Sequence, residues 1–296
     1  MKPPPFDYYA PRSIDEALAL LAEHGDEAKP LAGGQSLIPA MNFRLARPSV
    51  LVDLNNIADL FYIHMDEANG RGMRIGAMTR LAQIERDPII AERLPLIHET
   101  IPDIAHPQIR NRSTFGGSLA HADPAAELPA VAVALDAEIR LKGLSGERII
   151  PASEFFVALF TTAIEPGEML VEIMLPALPA RTGWAFKEVA RRHGDYALTG
   201  AAAVISLDGS GKIERAKLVY LGVGDGPVEA KSAEAALIGQ TPSADAIGAA
   251  ANAAQSDVDP TSDIHASADF RRHLVSVIGE QVLEQATARA GRRIEL

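Results

Sequence analysis

The sequence predicts an α+β protein: two consecutive units that mix helix with strand, then a smaller α+β region at the C-terminal end. Three observations carry this expectation. A pair of adjacent glycines twice separates a strand-like or apolar segment from a helix-like one, in "KPLAGGQSLIPAMN" (29–42) and "STFGGSLAHADPAAELPA" (113–130). Segments with helical apolar spacing and segments with the period of a strand both recur along the chain. In the last third, "DGSGK" links two strand patterns, a strong hairpin signal. The 296 residues suffice for about two domains or three small ones. The expected divisions are 1–56, 57–176 and 177–296, the second marked by Pro176 and Pro179.

The elements follow in order. "SIDEALALLAEHG" reads as a helix, with Ser13 and Glu16 in capping-box spacing and Gly25 at its end. "KPLAGG" is a short strand stopping on the glycines, "SLIPAMNFRLA" a short helix with Pro39 near its first turn, and "SVLVDL" a buried strand. "GMRIGAM" is the next strand, and "TRLAQIERDPIIAERLPLIHET" is helical with an interruption at Pro88. "AEIRLKG" alternates at Ala137, Ile139 and Leu141, the pattern of a half-buried strand, and "EPGEMLVEIMLP" ends in another strand. Beyond the hairpin, "SAEAALIGQ" and "ADAIGAAANAAQS" are helical. "SADFRRHLVSVIGEQVLEQATARA" is a long amphipathic helix with Phe270, Leu274, Ile278 and Val282 near one face.

Composition narrows the function. Lys plus Arg number 28 and Asp plus Glu 39, a formal net charge of −11, which argues against general binding to nucleic acid or to an anionic membrane surface. The apolar fraction of 47% supports a sizeable core. With no cysteine the chain cannot form disulfides, a Cys-ligated zinc site, a thiolate nucleophile or an all-Cys iron–sulfur cluster, and it suits the cytoplasm. "MKPPPFDYYAPRS" lacks the apolar stretch of a secretory signal, and no apolar run approaches the ~20 residues of a membrane helix. The histidine spacing suggests no metal site, and no residue is singled out as catalytic.

The glycine pairs admit two readings. A strand turning sharply into a helix start presents free backbone N–H groups, and glycine lets phosphate oxygens approach them. Two such loops would suit a dinucleotide better than a single phosphate. Either pair can equally be an ordinary turn. Standard alternatives fit poorly: there is no P-loop pattern, and in "LGVGDGP" the last glycine of a G-x-G-x-x-G fingerprint would fall on Pro227, so a strand end or bulge is the better reading.

"AGGQSL", "IRNRSTFGGSLAHADPAAELPA", "PGEMLVEIMLP" and "FKEVARRHGDYALTGAAAVISL" together resemble, in order and over nearly the whole chain, the flavin-binding medium subunit of the molybdenum hydroxylases. That family includes the carbon monoxide dehydrogenase medium subunit and the central domain of xanthine dehydrogenase. The resemblance implies a two-subdomain FAD-binding fold of the vanillyl-alcohol-oxidase (PCMH) type and a small C-terminal α+β domain. It implies that Lys29, Leu31, Ala32, Gly33, Gly34, Gln35, Ser36 and Leu37, with Thr114, Gly116, Gly117 and Ser118, wrap the pyrophosphate and adjoining sugar parts of FAD. Glu127 stands where the family has an acidic residue bonding a sugar-type hydroxyl, and Ala105, Leu170 and Lys187 match positions that touch the cofactor.

Lys187 would stabilise a reduced anionic flavin, or else be a solvated strand lysine. Tyr196 would cover a flavin face, or be a core tyrosine. Asp123 would bond the loop or ligand, or cap "PAAELPAVAVAL". Gln35 departs from the histidine frequent in relatives; it keeps hydrogen-bonding capacity but not titration.

The resemblance further implies an electron carrier and not a complete catalyst. A small Cys-rich subunit with two [2Fe–2S] clusters and a large subunit with the molybdenum cofactor would complete the enzyme as a dimer of heterotrimers. Electrons would pass from the clusters through FAD to an external acceptor. The competing readings are a self-contained FAD-dependent oxidase or dehydrogenase, and a nucleotide-sensing or scaffold protein.

Overall fold

The computed structural model describes residues 2–67 and 72–292. Its first layer is a three-stranded parallel sheet ordered Asp7–Tyr9, Val50–Asp53, Ala28–Leu31. The central strand is buried at all four positions, as its Val/Leu composition requires. The helix Ile14–His24 covers it with Ala17, Leu18 and Leu21; the Ser13 side chain accepts from the Glu16 amide, and Gly25 ends the helix at φ 52°. Leu31 pairs with Asp53, so both strands release their chains at the same carboxyl edge.

The second layer is a five-stranded antiparallel sheet ordered Ile63–Asp66, Gly72–Gly76, Met169–Leu175, Glu138–Gly143, Gly146–Pro151. Met169–Leu175 is central and wholly buried. Its one charge, Glu172, is compensated by Arg74 at 2.9 Å, Arg140 at 3.2 Å and the Tyr62 hydroxyl at 2.6 Å. The alternation expected at Ala137, Ile139 and Leu141 is present, all three at 0% exposure. Pro88 does interrupt the helical stretch: Asp87 caps a new helix, Pro88–Arg93, accepting from the Ile89 and Ile90 amides.

The third layer is a four-stranded antiparallel sheet of Thr182–Ala190, Ala197–Leu207, Ile213–Leu221 and Val228–Glu229. The expected hairpin turn is held by Asp208, whose carboxylate accepts from the Ser210 and Lys212 amides. The helix Ala268–Arg292 lies across this sheet. Leu274, Ile278 and Val282 are buried as predicted, but Phe270 is 45% exposed, because the buried stripe begins only at Arg271 and Leu274. The helix Glu127–Ala134, buried along its whole length, sits between the second and third sheets and joins their apolar contacts into one core.

Candidate functional site

Two stretches converge at the carboxyl edge of the parallel sheet. The first leaves strand Ala28–Leu31, crosses the glycine pair and enters the helix Leu37–Asn42. Gly34 has φ +72°, a conformation that favours glycine. Among the described residues, the amides of Gly33, Gly34, Gln35 and Ser36 find no acceptor, and the Gln35 side-chain amide donates back to the Gly33 carbonyl at 2.9 Å. Gly33, Gly34 and Gln35 line a cleft of about 330 Å³ together with Asp53, Asn55 and Arg112, and Ser36 follows at its edge in the chain.

The second stretch differs from its sequence-based expectation. Gly116 and Gly117 lie inside the first turn of the helix Phe115–His121, not in a loop ahead of it, because Thr114 caps that helix. The amides of Phe115, Gly116, Gly117 and Ser118 are already spent, on Thr79 O, Ala77 O, Thr114 Oγ1 and Thr114 O at 2.9–3.1 Å. These glycines act by being small. A Cβ on Gly116 would stand 2.7 Å from the Ala77 methyl, and one on Gly117 3.3 Å from the Ala32 methyl. Gly33 packs on the backbone of Arg112 and Ser113. Sterics therefore explain the two pairs without a ligand; the unspent donors belong to the first.

A polar network stitches the stretches together. Asn55 donates to Ala32 O at 3.0 Å, and its carbonyl oxygen accepts from Arg80, which also bonds the Arg112 carbonyl. Asp53 receives the Asn55 amide at 2.9 Å and the Tyr8 hydroxyl. Burial, then the nearby Arg112 guanidinium, lowers the pKa of Arg80. The Arg112 side chain is exposed and unpaired among the described residues.

Beyond the far end of Phe115–His121 lies an acidic group: Asp103, Asp123, Glu127 and Glu188. Glu127 opens its helix at 7% exposure, and burial, partly offset by its own amide, pushes its carboxyl up to about 7. Burial, then the charges of Glu127 and Asp103, pushes Glu188 up to about 8, and its Oε2 has no partner. Asp123 accepts the Ala125 amide at 2.9 Å and so closes a turn; the helix it was expected to cap starts later, at Glu127.

Ala105 has φ +47° in a half-buried turn beside this group. Tyr196 is 65% exposed and is no core tyrosine, and the charges of Asp123 and Glu127 reach it. Leu170 is buried in the second sheet, in the same apolar cluster as Ala77, while Lys29 and Lys187 are exposed on strands and, among the described residues, bond to neither cluster. Asp53, Asn55, Arg80, Arg112 and Glu188 were missed from sequence. Arg112 stood within the "IRNRST" motif two residues before Thr114; Asp53 and Asn55 become visible only once the parallel register places them under the loop.

The layered fold, with a donor-lined cleft at the edge of its parallel sheet and an appended C-terminal region, matches by family comparison a flavin-dinucleotide-binding protein. Residues 4–178 match the FAD-binding domain in molybdopterin dehydrogenase, and residues 184–286 the CO dehydrogenase flavoprotein C-terminal domain. The chain belongs to the FAD-binding medium subunits of the molybdenum hydroxylases of the carbon monoxide dehydrogenase and xanthine dehydrogenase type.

It is 48% identical over 290 residues to the 6-hydroxypseudooxynicotine dehydrogenase complex subunit alpha of Paenarthrobacter nicotinovorans, covering 98% of this chain and 97% of that one. It is 37% identical to the carbon monoxide dehydrogenase medium chain of Hydrogenophaga pseudoflava, over 98% of this chain and 99% of that one. The solved carbon monoxide dehydrogenase from Hydrogenophaga pseudoflava superposes with a TM-score of 0.94 at 40% identity, covering 98% and 99%. Quinoline 2-oxidoreductase from Pseudomonas putida 86 does so with 0.91 at 38%, again over 98% and 99%. Among the described residues no helix is long and apolar enough to cross a membrane.

Proposed function

We propose that this chain is the flavin-bearing electron-transfer subunit of a multi-subunit molybdenum hydroxylase, drawing electrons from a partner's [2Fe–2S] clusters and delivering them to an external acceptor. The observation that carries this reading is the run of unspent amides from Gly33 to Ser36, of which Gly33, Gly34 and Gln35 line a cleft beside the unpaired Arg112. Free N–H groups with one guanidinium form a donor set suited to a diphosphate. Its place at the carboxyl edge of the parallel sheet is where open α/β sheets bind ligands.

On this reading the Ser118 hydroxyl adds a donor from the second stretch. Glu127 and Asp123 accept from sugar hydroxyls. Tyr196 lies toward the ring system, and Ala105 and Leu170 bound its apolar side. When bound, FAD supplies an electron exchange that accepts singly and releases in pairs. The protein's own groups bind, orient and shield, and none is needed as an acid–base catalyst.

The related subunits carry names with different substrates, among them carbon monoxide, caffeine and glyceraldehyde, over nearly the same length of chain. Substrate choice is therefore assigned to the large molybdopterin subunit, and the complex, as a dimer of heterotrimers, to the cytoplasm.

The test is a co-purified complex assayed with and without flavin. Substrate should bleach the iron–sulfur absorption in both, while dye reduction should vanish in the flavin-free complex. Dye reduction that persists without flavin contradicts the reading, and turnover of a small substrate by this chain alone favours a self-contained oxidase.

A further inference from the structure

Arg110 ends the short helix Pro107–Arg110 and is only 7% exposed. A guanidinium taken out of water needs all its donors used. Here Nε and Nη2 form a two-pronged pair with Glu85, 3.0 Å to each carboxylate oxygen. Nη1 donates to the carbonyls of Ile104 at 3.1 Å and Ala105 at 3.2 Å. That turn needs holding: Ala105 has φ +47°, uncommon for a residue with a side chain.

The far side of the turn supports another segment. At Gly194, φ +83°, a Cβ would stand 2.8 Å from the Ala105 carbonyl oxygen and 2.8 Å from the His106 ring. His193 Nε2 lies 3.8 Å from Asp103 Oδ1. Tyr196, two residues beyond Gly194 and 65% exposed, has little packing of its own to fix it.

We propose that Arg110, gripped by Glu85, is a positioning residue that fixes turn 102–105 and through it the 191–196 loop presenting Tyr196 at the flavin site. Only the last clause rests on the flavin reading. Lysine cannot replace the guanidinium: one ammonium cannot form the planar pair with Glu85 and reach two carbonyls.

The experiment uses the full chain, with and without added FAD, as wild type, Arg110→Lys, Tyr196→Ala, their double variant, and Arg148→Lys as control. The control disrupts a comparable two-pronged pair, Arg148–Glu168 at 2.7 Å to both oxygens. Without FAD, Arg110→Lys should raise exchange of the Asp195 amide, which donates to the Arg192 carbonyl at 3.0 Å, by about tenfold or more, while strand Ala197–Leu207 and the control stay at wild-type rates. With FAD, Arg110→Lys should change the flavin's visible circular dichroism in the same sense as Tyr196→Ala, and the double variant should match Tyr196→Ala alone.

Unchanged exchange at the Asp195 amide overturns the proposal, as do additive effects in the double variant. Failure of every variant and the wild type to retain flavin counts against the flavin reading instead, and the exchange arm still decides the lever. Should Arg110→Lys not fold, Glu85→Gln, which keeps the carbonyl bonds, should give a smaller rise at the same amide; a rise no larger than the control's overturns the idea.

Discussion

Gly33 lies so close to Arg112 that a Cβ on it would stand 2.3 Å from the Arg112 carbonyl oxygen. That oxygen belongs to backbone and is itself bonded by Arg80, so it has little freedom to retreat. Gly33→Ala should force the two stretches apart. The expected loss is about 2 kcal/mol or more of stability, as for other overpacked sites, together with loss of flavin retention. Thermal unfolding and the absorbance of the purified chain check both, and a yellow variant of wild-type stability contradicts the packing argument.

Arg112→Ala separates binding from folding. The side chain is exposed and unpaired, so stability should stay within about 0.5 kcal/mol of wild type. FAD affinity should fall about tenfold or more, as for a lost charge-assisted hydrogen bond. Fluorescence titration measures it, and the fall should be smaller at high salt, where screening already weakens the wild-type contact.

Much of this was legible in the chain. The strand, glycine pair and helix at 28–42 were readable because apolar period and turn residues agreed, and the "DGSGK" hairpin because its turn chemistry is local. What stayed hidden depended on contacts between distant segments. The spent amides of Gly116 and Gly117 follow from Thr114 capping its own helix and from Ala77 arriving from another strand. Glu188 follows Lys187 in sequence, and alternation along the strand turns it to the other face, toward Glu127, which no sequence pattern showed. Tyr196 was undecided between a flavin face and the core because an exposed aromatic before a strand carries no periodic signature.

The acidic group makes a pH prediction whose sign can be worked out. Glu127 is pushed up to about 7 and Glu188 to about 8 in the fold, above the usual carboxylate range. The folded chain therefore binds more protons than the unfolded one between the two states' pKa values. Stability should fall as pH rises from about 5 to about 8, then level off. Glu127→Gln with Glu188→Gln should flatten that fall without abolishing it, since Glu234 is also pushed up to about 7. Unfolding midpoints across this range test it; an unchanged slope in the double variant contradicts the assignment.

Gly183 reports on the C-terminal helix. A Cβ there would stand 1.8 Å from the Ala286 carbonyl oxygen, so the strand Thr182–Ala190 and the helix Ala268–Arg292 touch through backbone. Gly183→Ala should lower stability by about 2–3 kcal/mol through overpacking. It should also raise amide exchange in the helix while leaving the first-layer strands near wild-type rates, a contrast that hydrogen-exchange mapping resolves.

The central claim is that unspent amides beside Arg112 hold a diphosphate. Equilibrium titration of the ligand-free chain with FAD and with riboflavin, which carries the ring but no phosphate, tests it most directly. The account predicts saturable binding of about one FAD per chain, and riboflavin weaker by about a hundredfold or more, the combined loss of several charge-assisted hydrogen bonds. Equal affinity for the two flavins, or a folded chain that takes up no FAD at all, would contradict it.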